Sequence, residues 1–111
     1  TGVRDYIHVV DLAEGHVKAM EANSRNSGVF VYNLGTGNGY SVLEIIKAFE
    51  NASGLSIPYQ IKPRRSGDIA VCFADPSYTN HQIAWQAQRD LATMMADSWR
   101  WQSNNPNGYD D

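Results

Sequence analysis

The loop Pro63-Arg64-Arg65-Ser66-Gly67-Asp68 carries the residue types best suited to chemistry in this chain of 111 residues. Arginine forks match the oxygens of a diphosphate, and an aspartate beside them can accept two vicinal hydroxyls of a ribose. Arg4 stands early in the chain, next to Asp5 and Tyr6, and offers a further guanidinium. On the residues alone two readings stay open, an anionic-ligand site and an exposed ion-pair cluster, because adjacent arginines are common in loops.

Other residues invite chemistry and then lose it on spacing. Gly35, Gly37 and Gly39 lie between a strand-like and a helix-like segment. A dinucleotide fingerprint needs its third glycine three positions after the second, where this chain has Tyr40. The next strand-like segment ends at Lys62, so no acidic residue is placed to hold a ribose, and a Walker lysine is lacking as well. The glycines therefore predict a tight turn. His8, His16 and His81 are separated by 8 and 65 residues with no cysteine pair beside them, which is no metal-ligand spacing. No G-x-S-x-G elbow exists, and Cys72 stands in an apolar run where an inert packed thiol is the default. Trp85, Trp99 and Trp101, with Met94 and Met95, read as core or interface. Trp101 falls on a different helix face from Trp99, so at least one of them should border a surface.

The elements that must position these residues follow from periodicity and capping. Residues 1–10 are strand-like. Asp11 with Glu14 resembles a capping box, and Leu12, His16 and Met20 recur at helical spacing, which predicts a helix over 11–23 with one packed face. Residues 29–34, Val-Phe-Val-Tyr-Asn-Leu, predict a buried strand. Ser41 and Glu44 form a second capping box, Tyr40 and Ile45 can staple it, and Val42, Ile45, Ile46 and Phe49 continue the face to a stop at Gly54. Ile57, Tyr59 and Ile61 alternate with polar residues and Pro58, which suggests a strand at a sheet edge. After the apolar run 69–73, Asp75-Pro76 opens a short helix with proline at its first position. Leu91, Met94, Met95, Ser98 and Trp99 mark a last helix that stops before Asn104-Asn105-Pro106. This order of strands and helices predicts a small α/β layer structure in one domain.

Composition bounds the function classes. Apolar residues make up 42% and charged residues 19%, which are globular proportions. The formal net charge of −3 gives no support for a nucleic-acid binder. No apolar run approaches the ~20 residues that span a bilayer, so no membrane role is expected. The single cysteine cannot form an internal disulfide, and a reducing, cytoplasmic setting is the simpler expectation.

Taken as a set, the motifs resemble the C-terminal region of extended short-chain dehydrogenase/reductases. They are Arg4-Asp5-Tyr6-Ile7-His8-Val9 followed by Asp11-Leu12-Ala13, then Tyr32-Asn33-Leu34-Gly35-Thr36-Gly37, the loop 63–68, and Ala74-Asp75-Pro76. The tail from Trp99 to Tyr109 narrows the resemblance to the branch that interconverts UDP-glucose and UDP-galactose in galactose metabolism. It covers essentially all 111 residues but only about the last third of such an enzyme.

The resemblance implies that Arg4 and Arg65 grip the diphosphate of a UDP-sugar, that Asp68 holds the uridine ribose, and that Tyr6 lines the phosphate side. Cys72 falls where the family places a residue against the sugar, and a small residue there resembles members that accept N-acetylated sugars. The family's chemistry uses NAD held by a glycine-rich N-terminal half, with a Tyr-x-x-x-Lys pair as proton carriers. This chain departs from that pattern: Glu14, Leu43 and Pro58 stand four residues before Lys18, Lys47 and Lys62. No catalytic residue, no NAD site and no metal site is expected in it, and it reads as a substrate-binding lobe that is inactive alone. Such a lobe should bind UDP or a UDP-sugar weakly. A different class of function is a self-associating or partner-binding module, because loss of the N-terminal half should bare an interdomain surface and favour a homo-oligomer.

Overall fold

A computed structural model describes residues 1–109. Seven elements follow one another: β1 (Val3–Asp5), α1 (Val9–Asn23), β2 (Gly39–Ser41), α2 (Val42–Ser53), β3 (Val71–Cys72), α3 (Ser77–Ile83) and α4 (Leu91–Asn104). The architecture is α/β, with four helices around one small sheet of order β2-β1-β3. β1 runs antiparallel to β2 and parallel to β3, with Arg4 opposite Tyr40 on one side and Cys72 on the other.

Capping decides where the helices begin. α1 starts two residues before the expected position, because the imidazole Nδ1 of His8 accepts the Val10 amide at 3.0 Å. That frees Asp11, expected as the cap, for a different task. Its carboxylate is completely buried and accepts the amides of Gln88 and Arg89 at 3.1 and 2.9 Å. It also takes the Arg89 guanidinium, which reaches Glu14 at 3.4 Å. Burial works to raise the Asp11 carboxyl, but the bonds from the Arg89 amide and guanidinium and from the Gln88 amide outweigh it. The carboxyl is held below the ordinary range.

The packed face of α1 is displaced by one residue from the expected one. Asp11 and Gly15 are buried, whereas His16 and Met20 are exposed. Gly15 explains the displacement: a Cβ there would stand 2.9 Å from Leu34 and 3.1 Å from Trp85. Those side chains use the space that glycine leaves, and the Trp85 Nε1 donates to the Asp11 carbonyl at 3.1 Å.

α2 begins and ends where its sequence signals place it. The Ser41 hydroxyl accepts the Glu44 amide at 3.2 Å, and the Glu44 carboxylate accepts the Ser41 hydroxyl and amide at 2.7 and 2.8 Å. Those bonds hold the Glu44 carboxyl below its usual range. Gly54 closes the helix in the left-handed conformation. Ile45, Ile46 and Phe49 are half-buried and Val42 is exposed. α2 packs on α4, with Phe49 edge-on to Trp99 at 6.0 Å. α4 is capped by Asp90, which accepts the Thr93 amide at 2.9 Å, and runs through Asn104. At α3 the Asp75 carboxylate accepts the Ser77 amide at 3.0 Å, with Pro76 at the cap position.

Two expected strands are not realised. Residues 29–34 join no ladder among the described residues, and Val29 and Val31 are 93% and 75% exposed. Residues 57–61 likewise join no ladder, and Tyr59 and Ile61 are exposed. β-branched and aromatic composition records fitness for a covered, pleated surface, but it supplies neither the neighbouring strand nor the cover. The run 69–73 yields only two paired residues, Val71 and Cys72, so Cys72 is an exposed thiol and not a packed one. Trp85 is buried, and on the last helix Trp99 is half-buried while Trp101 is 43% exposed, as the helix-face argument requires.

The buried apolar side chains are Ile83, Trp85, Met94 and Met95. The accessible surface is 8192 Å², against about 6,100 Å² for a compact monomer of this mass. The radius of gyration is 16.9 Å, against about 13 Å for a compact chain of this length. With so small a core, a buried carboxylate matters. Asp11→Ala is expected to cost about 3 kcal/mol in a urea titration, since it strands two amides and a guanidinium. Because the folded-state pKa of Asp11 lies below its unfolded value, its stabilisation is complete above about pH 4 and is lost as the pH falls through the folded value. The acid-side slope of stability should therefore flatten in Asp11→Asn; an unchanged slope would refute this account of the carboxylate.

Candidate functional site

Alternation along β1 puts Arg4 and Asp5 on opposite faces of the sheet. The Arg4 guanidinium donates to the Val3 carbonyl at 2.7 Å and to Asp68 Oδ1 at 2.8 Å. This brings the first residues of the chain against the basic loop, whose Asp68 amide turns back to the Arg65 carbonyl at 3.2 Å. Asp68 Oδ2 accepts no hydrogen bond among the described residues.

A concavity of about 500 Å³ opens beside this ion pair. Lys62, Arg64, Arg65 and Asp68 line it together with Thr1 and Leu43. Three cations thus face one space, and the only carboxylate among its lining residues already holds a fourth, that of Arg4. Arg64 and Arg65 are exposed, and their guanidinium groups make no hydrogen bond or ion pair among the described residues. The arrangement suits an anion with more than one charged oxygen, because each guanidinium can meet it with two parallel bonds.

Of the residues singled out in the sequence, Arg4, Arg65 and Asp68 come together here. Cys72 lies next to Arg4 in the ladder, exposed on β3. Tyr6 does not join them. It lines a second, mostly apolar groove of about 640 Å³ with His8, Phe49, Met94, Asp97 and Trp101. His8 is buried there and its Nε2 meets Asp97 at 3.0 Å. With Nδ1 accepting the Val10 amide, Nε2 carries the proton, so His8 is occupied on both nitrogens. His16 bonds the Leu12 carbonyl at 2.8 Å. No group of three or more potential metal-ligating side chains occurs among the described residues.

The glycine turn has an occupant from within the chain. The Asp5 carboxylate accepts the Thr36 amide at 3.0 Å, the Thr36 hydroxyl at 2.7 Å and the Gly37 amide at 3.0 Å. It also accepts the Ala74 amide at 3.3 Å. The backbone donors that would otherwise suit a phosphate are satisfied by a carboxylate, in agreement with the tight-turn reading. Gly35 makes this possible, since a Cβ there would stand 2.7 Å from Asp5 Oδ2 and 2.6 Å from the Ala74 side chain. In the sequence Asp5 stands out only as a neighbour of Arg4. The signal that could have marked it was the combination of a strand-borne aspartate with a glycine-rich turn in need of an anion.

No family model matches the chain. It is 70% identical over 111 residues to the UDP-glucose 4-epimerase of Neisseria meningitidis serogroup A, and covers 33% of that protein. It is 63% identical over 109 residues to the UDP-glucose 4-epimerase of Bacillus subtilis, and covers 32% of it. Among solved structures, the UDP-glucose 4-epimerase of Bifidobacterium longum in complex with NAD+ and UDP superposes with a TM-score of 0.92 at 60% identity, over 98% of this chain and 32% of that one. The chain spans about a third of the length of the relatives it matches. The fold is that of the C-terminal lobe of extended short-chain dehydrogenase/reductases. Within that class the chain belongs to the UDP-glucose 4-epimerase family and corresponds to the C-terminal part of its members.

The site geometry separates two kinds of arginine. Arg65→Ala should change the unfolding free energy by less than about 0.5 kcal/mol, as expected for an exposed side chain without partners. Arg4→Ala, which removes bonds to Val3 and Asp68, should cost about 1 kcal/mol. Equal costs in parallel urea titrations would contradict this division.

Proposed function

We propose that this chain is the UDP-sugar-binding lobe of a UDP-glucose 4-epimerase, in which Arg4 and Arg65 meet the diphosphate and Asp68 meets the uridine ribose. The observation that carries the reading is the Arg4–Asp68 pair at the rim of a concavity lined by Lys62, Arg64 and Arg65. Asp68 can keep Arg4 on Oδ1 and offer Oδ2 to ribose hydroxyls. The small Cys72 side chain beside Arg4 leaves room for a sugar, N-acetylated ones included, and Tyr6 would border the phosphate side from the neighbouring groove. The B. longum relative binds NAD+ and UDP, and a Stenotrophomonas maltophila relative, at 50% identity, binds NAD and formylated UDP-arabinopyranose.

Epimerisation needs cofactor and proton carriers held against the sugar, and that proximity accounts for several orders of magnitude in rate. These 111 residues contain no Tyr-x-x-x-Lys and no dinucleotide fingerprint. The lobe therefore binds without turning over, in a reducing, cytoplasmic setting that keeps Cys72 as a thiol. Among the described residues no helix is long and apolar enough to cross a membrane. A second reading, self-association, is favoured by the uncovered apolar residues Val29, Phe30 and Val31. Light scattering that shows only monomer at high concentration would exclude it.

Charge-assisted contacts from two arginines, discounted for ordering and desolvation, correspond to a dissociation constant near or above ~100 μM for UDP. A proton–nitrogen NMR titration should show shifts at Arg65 and Asp68; none by about 5 mM UDP would defeat the binding claim. Added NAD and UDP-galactose should yield no UDP-glucose, and turnover by the purified chain would overturn the assignment of catalysis to residues outside it.

A further inference from the structure

Asp5 lies on the face of β1 opposite Arg4, and it collects more donors than any other carboxylate in the described residues. The Thr36 amide and hydroxyl, the Gly37 amide and the Ala74 amide converge on its two oxygens between 2.7 and 3.3 Å. These donors come from two separate segments, the turn that precedes β2 and the residues that follow β3. β2 and β3 are the two neighbours of β1, so a single carboxylate ties both flanks of the sheet to its centre.

The sheet needs such a tie. β3 contributes two paired residues, Val71 and Cys72, and both are exposed. Register is specified strongly only where one face of a strand is buried, and a two-residue ladder with no buried face lacks that constraint. The bond from Ala74 to Asp5 lies two residues beyond Cys72 and supplies the constraint from the far side of the sheet. With β1 held against rotation about its own axis, Arg4 has one direction in which to extend. That direction carries its guanidinium to Asp68 at 2.8 Å and sets Cys72 alongside it.

We propose that Asp5 is a positioning residue of the UDP-sugar site: without touching the ligand, it fixes the register of β3 and the roll of β1, and so sets Arg4, Cys72 and Asp68 in their binding geometry. The inference rests on the reading of that site given above. It assigns to the glycine-rich turn a built-in anion in place of a bound phosphate.

The test uses the 111-residue chain and its Asp5→Asn variant, which keeps the shape and replaces acceptor capacity with an amide that faces the Thr36, Gly37 and Ala74 donors. NMR separates folded from unfolded molecules, so the affinity of the folded species is read independently of stability. Folded Asp5→Asn should bind UDP at least about fivefold more weakly than the parent chain. It should also show faster hydrogen exchange at Val3, whose amide bonds the Ala70 carbonyl at 2.9 Å in the β1–β3 ladder, and a shifted Arg4 guanidinium signal without ligand. A folded variant with unchanged UDP affinity, unchanged exchange at Val3 and an unshifted Arg4 signal would overturn the proposal and leave Asp5 as a stability residue only. If the parent chain binds no UDP, the site reading fails, and the ligand-free signals of Arg4 and Val3 still decide whether Asp5 sets the geometry. Should Asp5→Asn fail to fold, Thr36→Val removes the 2.7 Å hydroxyl bond to Asp5, together with the hydroxyl's bonds to Asn38 inside the turn, and leaves the three amides on the carboxylate; a loss of affinity of about twofold with the same Arg4 shift is expected. No change in that variant would count against the proposal.

Discussion

A fully buried carboxylate is costly unless its oxygens find donors, and both oxygens of Asp11 do. It joins the first turn of α1 to the amides of Gln88 and Arg89, 77 and 78 residues further along the chain. Trp85, bonded to the carbonyl of the same residue, then lies against Gly15, and the approach to α4 is set. In a chain whose buried apolar side chains are Ile83, Trp85, Met94 and Met95, such polar ties substitute for the packing that a larger core would provide. Asp5 repeats the device on the other side of the molecule, with four donors from two segments.

The excess surface has the same origin. Val29 and Val31, Tyr59 and Ile61, and Ile69, Val71 and Phe73 are apolar residues at alternating positions that remain exposed. Their composition suits a covered sheet, and the chain spans only about a third of the length of its relatives. The groups proposed to bind are arranged on the sheet side of this structure, where Arg4, Cys72 and Asp68 are linked by one ladder and one ion pair. An arrangement made of short strands and exposed loops keeps its geometry through hydrogen bonds to buried or half-buried carboxylates, which are directional where hydrophobic contacts are not.

Local physics made part of this legible in the sequence. α2 could be read to its ends, because its capping box, apolar spacing and terminal glycine all act within four or five residues of one another. The loop 63–68 could be read as a candidate anion site because residue type alone dictates what arginine and aspartate can bind. The tight turn at 35–39 and the exposure of one of the tryptophans were equally local inferences. Motif order, in turn, pointed to the family.

Tertiary structure decided the rest. Asp11 carries the residue type of a cap, but His8 takes that role, and only the arrival of residues 88 and 89 determines what the freed carboxylate does. The packed face of α1 shifts by one residue because Leu34 and Trp85 come to rest on Gly15, an event without any local signature. Residues 29–34 have strand composition and no strand, since a ladder requires a second chain segment that composition cannot name. That Arg4 meets Asp68, 64 residues away, while Tyr6 turns to a separate groove, follows from strand alternation and register. The sequence by itself thus determined the family, one helix and the charged groups that the basic loop offers, all of which depend on residue type and short spacing. Which groups actually meet depended on pairings across long stretches of chain, and those exist only once the fold has brought the segments together.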